Sequence, residues 1–182
     1  MSMLEQRIQQ QFFESADLLS QMAEALSKPI ADAAQTLLGC ITAGGKVMLF
    51  GSDPAAALAQ HGAALMVGRF ERDRPGLAAL AVGSEAEMQA LGTPGDVLLA
   101  VSAGVPSLAL IAVVRAAQAK EMTVVALTGR DAGGLLGYLS ETDVHIAVPH
   151  DRAARVHEAH TLVLHCLCDA VDLQLLGEQE PT

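Results

Sequence analysis

The sequence predicts an α/β fold, a three-layer sandwich with a five-stranded parallel sheet, preceded by two helices and closed by a long C-terminal helix. Three observations predict it. A short apolar run, a glycine-containing turn and a helical stretch recur in that order through the middle of the chain. Both ends carry long stretches with apolar residues at helical spacing. The chain of 182 residues is 51% hydrophobic but only 3% aromatic, so it can bury a core and must fill it with Ala, Leu and Val.

The elements follow in chain order. From Leu4 to Leu26, apolar residues recur at Leu4, Ile8, Phe12, Ala16, Leu19, Met22 and Leu26, the stripe of a long amphipathic helix that needs a partner. Ser27 offers a cap and Pro29 a first-turn position for a second helix through about Thr42, closed by Gly44 and Gly45. The strands read as Lys46 to Phe50, Leu77 to Val82, Asp96 to Val101, Met122 to Leu127 and Asp143 to Val148. Helices are expected over Ala55 to Val67, over Gly83 to Leu91 with a capping box from Ser84 to Glu87, and over Leu108 to Ala119. Asp151 can cap a final helix over roughly Arg152 to Leu176. Parallel strands need crossover helices, which cover both faces of the sheet. One domain over 1–182 is expected, with a helical extension over about 1–43, an α/β core over about 44–150 and the C-terminal helix over about 151–177.

Charge and targeting narrow the function. A net charge of −10 argues against direct nucleic-acid binding, which normally needs a basic face. The start carries no basic region followed by an apolar stretch and cleavage site, so a cytoplasmic location is expected. The uncharged stretch Val97 to Val114 approaches membrane-span length, but Ser102-Ala-Gly-Val-Pro-Ser107 breaks it into strand, loop and helix, and no membrane association is expected. Cys40, Cys166 and Cys168 form neither a disulfide framework nor a metal-cluster spacing and read as buried free thiols.

In open parallel sheets, ligands bind beyond the carboxyl ends of the strands. Two turns qualify: Gly51-Ser-Asp-Pro-Ala-Ala56, offering Gly51 and Ser52, and Ser102-Ala-Gly-Val-Pro-Ser107, offering Ser102 and Ser107. Pro54 and Pro106 each remove a backbone donor there, and Asp53 adds a negative charge. The alternative is that both are ordinary strand-to-helix turns. A third turn, from Thr128 to Gly134, supplies Arg130, read as solvent-exposed. His157, His160 and His165 lie on the final helix and His61 on the first crossover helix. His157 and His165 share a face but are about 12 Å apart along the helix, too far for one metal unless different subunits contribute. His165 is a candidate general acid or base.

Several motifs together resemble a sugar isomerase (SIS) domain of flavodoxin-like architecture: Gly-x-x-x-Ala-Ala-x-x-Ala-Gln-His61, Gly-Arg-Phe70-Glu-Arg-Asp-Arg-Pro75, Gly-Asp-Val-Leu-Leu-Ala-Val-Ser102, Val-Val-Ala-Leu-Thr-Gly129 and Val-Pro149. The leading helices and Arg-Val-His-Glu-Ala-His160 are similar to the phosphoheptose isomerase group. Cys166-Leu-Cys-Asp169 and the short tail are similar to its DiaA branch, which associates with the replication initiator DnaA. The resemblance implies a homotetramer with sites near subunit interfaces. In the isomerases it implies conversion of sedoheptulose 7-phosphate by a glutamate and a histidine, often with zinc. That histidine falls on His165 and a metal-binding histidine on His61; the glutamate falls on Leu65, and a glutamine at the metal is replaced by His157.

A missing acid or base costs about 10²–10⁴ in rate. The expected function is therefore a non-catalytic homotetrameric scaffold that binds DnaA and promotes replication initiation, without a cofactor. The resemblance places its partner contact at Leu175 and Leu176, which otherwise cap the subunit core. Two alternatives stay open. One is a phosphoheptose isomerase in which His61, His157 and His165 of neighbouring subunits hold zinc; the other is a regulator that binds a sugar phosphate without turnover.

Overall fold

The computed structural model describes residues 1–52 and 54–178. Asp53, whose charge beside the first turn entered the sequence reading, lies outside the described residues. Helix α1 spans Met3–Thr42, followed by β1 Val47–Gly51, α2 Ala55–Val67, β2 Ala79–Ala81, α3 Glu85–Leu91, β3 Val97–Val101, α4 Leu108–Ala119 and β4 Thr123–Thr128. A short 3₁₀ turn, Gly133–Tyr138, leads to β5 Val144–Ala147 and α5 Ala153–Leu176. The strands form one parallel sheet in the order β2-β1-β3-β4-β5.

Alternation along the strands builds the layers, because successive side chains point to opposite faces. Val47, Leu49, Val97, Leu99, Val101, Val125 and Leu127 face α1, α2 and α5. Met48, Phe50, Leu98, Ala100, Val124 and Ala126 face α3 and α4, where Met88, Leu110, Val113 and Val114 meet them. Both faces are covered, so the central strands are buried at every position and read as continuous apolar runs. The stretch Val97 to Val114 is thus β3, a loop and the start of α4. By length and composition α5 could cross a membrane, but its Val156, Val163, Leu164 and Leu167 belong to the core.

The two helices expected before the first strand are one. Pro29 lies inside α1 rather than at a helix start, and Ser27 bonds back to the Ala23 carbonyl instead of capping. Packing overrides the local signal. Leu18, Met22, Leu26, Ala33, Ala34, Leu37 and Cys40 make one buried stripe across the proline, and a continuous stripe of this length outweighs one lost backbone hydrogen bond. Contacts to α5 fix the first half: Arg155 donates to the Gln11 carbonyl at 2.8 Å, Ser15 to Glu158 at 2.7 Å, and Arg152 pairs with Glu14. On the same stretch Leu4, Ile8 and Phe12 remain exposed.

At Ser84 the capping box closes with a shift of one residue. Ser84 Oγ accepts from the Glu87 N–H, and Glu87 accepts from the Gly83 N–H, one position before the cap.

Candidate functional site

Strands β1 and β3 are neighbours, with Gly51 opposite Val101. The chain leaves β1 toward the α2 face and β3 toward the α4 face, so their carboxyl ends open a crevice at the topological switch point, where open α/β sheets place their ligands. Gly51 is required by its turn, since a Cβ there would be driven into the Ala55 backbone carbonyl. The turn brings the two loops together: Ser107 Oγ donates to Ser52 Oγ at 3.0 Å. Ser107 also caps α4, accepting from the Leu110 N–H at 3.2 Å. Ser102 is buried and its hydroxyl donates to the Gly104 carbonyl at 2.9 Å, turned into its own loop. Helix α2 begins after Pro54 with no side chain capping it, and the Ala55 N–H donates to the Ser52 carbonyl at 3.1 Å.

A cleft of about 360 Å³ lies alongside, lined by Phe50, Gly51, Ser52, Ala56, Gln60 and Gly83 among others. That volume is at the lower end for small-molecule sites. Among the described residues, its lining includes no charged side chain. The nearby arginines are committed elsewhere: Arg69 pairs with Asp73, Arg72 donates to the Gly177 carbonyl, and Arg74 pairs with Asp172. Arg130 is exposed and pairs loosely with Asp151 at 3.6 Å.

Two turns into α2 stands the most chemically suggestive pair in the molecule. His61 Nε2 and His165 Nε2, from α2 and α5, are 3.3 Å apart with the rings edge to face. Phe70 leans over His165 with ring centroids 5.3 Å apart. In the sequence Phe70 stands within the Gly-Arg-Phe70-Glu-Arg-Asp-Arg-Pro75 motif, and nothing in its local pattern marks it as a wall of the site. His61 is exposed and His165 half-buried, so a ligand can reach the pair. Leu65 follows His61 by one helical turn, on the same side of α2.

The other histidines have different fates. His157 is half-buried on α5, and burial lowers its pKa. Among the described residues, no group of three or more histidine, cysteine, aspartate or glutamate side chains is close enough to share a metal ion. The zinc implied by the family resemblance therefore meets two imidazoles within one protomer, short of the three or four protein ligands zinc normally takes. His160 is fully buried, its Nε2 bonded to the Thr128 carbonyl at 3.1 Å, and burial pushes its pKa down to about 4. It is a neutral core residue. All three cysteines are free; Cys40 and Cys168 are buried, Cys166 partly so. Burial, reinforced by Asp172, pushes the Cys168 thiol up to about 12. Leu175 and Leu176 end α5 and are partly exposed.

Comparison with known proteins gives this geometry a context. Residues 11–91 match the SIS domain family. A phosphoheptose isomerase of Methylibium petroleiphilum is 57% identical over 100% of both chains. One from Aromatoleum aromaticum is 42% identical over 96% of this chain and 97% of that one. Among solved structures, phosphoheptose isomerase GmhA of Neisseria gonorrhoeae superposes with a TM-score of 0.86 at 36% identity, covering 93% of this chain and 98% of its own. A phosphoheptose isomerase of Francisella tularensis gives 0.89 at 32% identity, covering 94% and 99%.

These findings overturn the expectation of a non-catalytic DnaA scaffold. That expectation rests on the leucine at position 65 and on the prolines of the two ligand turns, whereas relatives along the whole length are phosphoheptose isomerases and the histidine pair of the site is assembled. On its sequence identity, its coverage and its fold, the chain belongs to the phosphoheptose isomerase family of SIS-domain proteins.

Proposed function

We propose that the protein is a phosphoheptose isomerase that interconverts sedoheptulose 7-phosphate and the corresponding aldose phosphate. The observation that carries this reading is the contact between His61 and His165 beside the β1–β3 crevice; the relatives supply the substrate class. Going from ketose to aldose moves one proton from C1 to C2 and one from the C1 hydroxyl to the C2 oxygen, through an enediol. A positioned base must take the carbon-bound proton and return it one carbon away. His165 is the base in this reading. His61, bonded to it through Nε2, fixes its orientation and tautomer, and Phe70 shields one face of the ring. Gly51, Ser52 and Ser107 form the sugar-phosphate end, and Ser102 supports it from behind, its hydroxyl held by the Gly104 carbonyl. There Ser52 and Ser107 offer hydroxyls and the start of α2 offers backbone N–H groups. From Ala55 to His61 the helix rises about 9 Å, a distance an extended sugar phosphate bridges.

The same reading includes a homotetramer in the cytoplasm. Support for assembly comes from the first turns of α1, where Met3, Leu4, Ile8, Phe12 and Phe13 are exposed, an apolar surface a soluble monomer would not leave open.

Turnover of sedoheptulose 7-phosphate by the purified protein tests the proposal, with His165→Asn measured beside it. The expected result is measurable isomerisation, reduced by about 10²-fold or more in the variant. Absence of turnover in the unmodified protein, with the phosphate bound or unbound, would overturn it.

A further inference from the structure

The family resemblance implies zinc at the site, and the donors present do not add up to it. Two imidazole nitrogens bound to one tetrahedral zinc, each at about 2.0–2.1 Å, lie about 3.3–3.4 Å apart. The His61–His165 spacing of 3.3 Å is that edge. Spacing is therefore not what is missing. The missing part is ligand number: among the described residues of one protomer no third histidine, cysteine or carboxylate joins the pair. Position 65 is where a third donor would come from. It sits four residues after His61, so both side chains lie on one strip of α2, the same logic by which an i, i+4 pair holds a metal on a single helix. Leucine there is partly buried against the core cluster that also includes Val163 and Leu164 of α5, and it offers the pair only methyl groups.

We infer that this protein holds no resident zinc and that Leu65 is the residue that withholds it. The two histidines are a half-site, two donors at zinc spacing without a third from the same protomer. The inference goes beyond the isomerase reading and does not depend on it, because the readout is bound metal.

Zinc content is measured on the purified full-length protein after incubation with zinc chloride and desalting, together with thermal unfolding with and without the metal. The unmodified protein is expected to retain well under one zinc per chain and to melt at the same temperature in both conditions. Leu65→Glu completes a His₂Glu set and is expected to retain about one zinc per chain and to gain stability from it. His61→Ala in the Leu65→Glu background is expected to lose both effects. Stoichiometric zinc in the unmodified protein overturns the inference, whether the further donor is His157 or a group from a second copy. So does a folded Leu65→Glu variant, checked by circular dichroism, that takes up no more zinc than the parent. If that variant does not fold, the metal content of the unmodified protein still decides the first half. Leu65→His, which supplies a neutral donor at the same place, then decides the second.

Discussion

Replacing Arg74 by methionine tests what holds the two histidine-bearing helices together. Arg74 Nε meets Asp172 Oδ1 at 2.5 Å, and both side chains are only 1% exposed. The same guanidinium donates to the carbonyls of Leu65 at 3.1 Å, Met66 at 2.8 Å and Gly68 at 3.2 Å. It therefore closes the end of α2, which carries His61, and ties it to α5, which carries His165. Removing one partner of a buried ion pair costs about 3–5 kcal/mol, because the other charge stays buried alone. The Leu65 carbonyl loses its donor too, adding about 1 kcal/mol, while the Met66 carbonyl keeps the Leu77 N–H. A total of about 4–6 kcal/mol is a large part of the stability of an ordinary domain, and at about 2–4 °C per kcal/mol it lowers the melting temperature by about 8–24 °C. Urea unfolding followed by circular dichroism, with parent and variants at the same protein concentration so that the contribution of assembly is matched, measures it. In Arg74→Met with Asp172→Leu the stranded carboxylate is gone, and most of the loss should return. If Arg74→Met alone unfolds within about 1 kcal/mol of the parent, or the double variant is no better than the single one, the ion pair is not what joins α2 to α5.

Two further outcomes follow from buried features. His160 is neutral in the folded protein, with its pKa brought down by burial to about 4 from 6.5. Its folded pKa lies below its unfolded one, so its contribution is complete above about pH 6.5 and is lost as pH falls toward 4; the full difference is about 3 kcal/mol. Urea unfolding across that window should show the loss, and His160→Gln should flatten it; an unchanged slope in the variant would assign the effect to other groups. Pro29 sits inside α1, where it denies the Ala25 carbonyl a hydrogen bond. Pro29→Ala is expected to stabilise the protein by about 1–3 kcal/mol, the helix gain less the extra freedom of the unfolded chain. A destabilised variant would mean that α1 needs the proline's shape.

What was legible in the sequence is what depends on near neighbours along the chain. Ala55–Val67 and Leu108–Ala119 are helices over the residues that spacing and turn chemistry mark, and the apolar runs are strands to within a residue or two because glycine turns bound them. The failure inside α1 has the same origin. Ser27 and Pro29 are local signals for a break, and the packing that overrides them, Leu26 and Ala33 in one core cluster with Val163 and Leu167, comes from a helix more than a hundred residues away.

The site failed to declare itself for a related reason. Its working contact, His61 to His165, joins residues 104 positions apart, and the strand order, the close packing of Gly62 on Leu164 and the Arg74–Asp172 tie bring α2 and α5 to that distance. Reading positions one by one, Leu65 weighs as a lost glutamate and argues for a protein without chemistry. With the fold in place, the same leucine stands beside an imidazole pair that is still assembled and reachable, in a chain whose full-length relatives are isomerases. A substitution at one site residue thus speaks first to how the reaction is done, here to the ligand count of a metal, before it speaks to whether the reaction is done. Zinc content and turnover separate those two questions: an active, zinc-free protein is the outcome in which both arguments hold, and an inactive one that binds zinc is the outcome in which neither does.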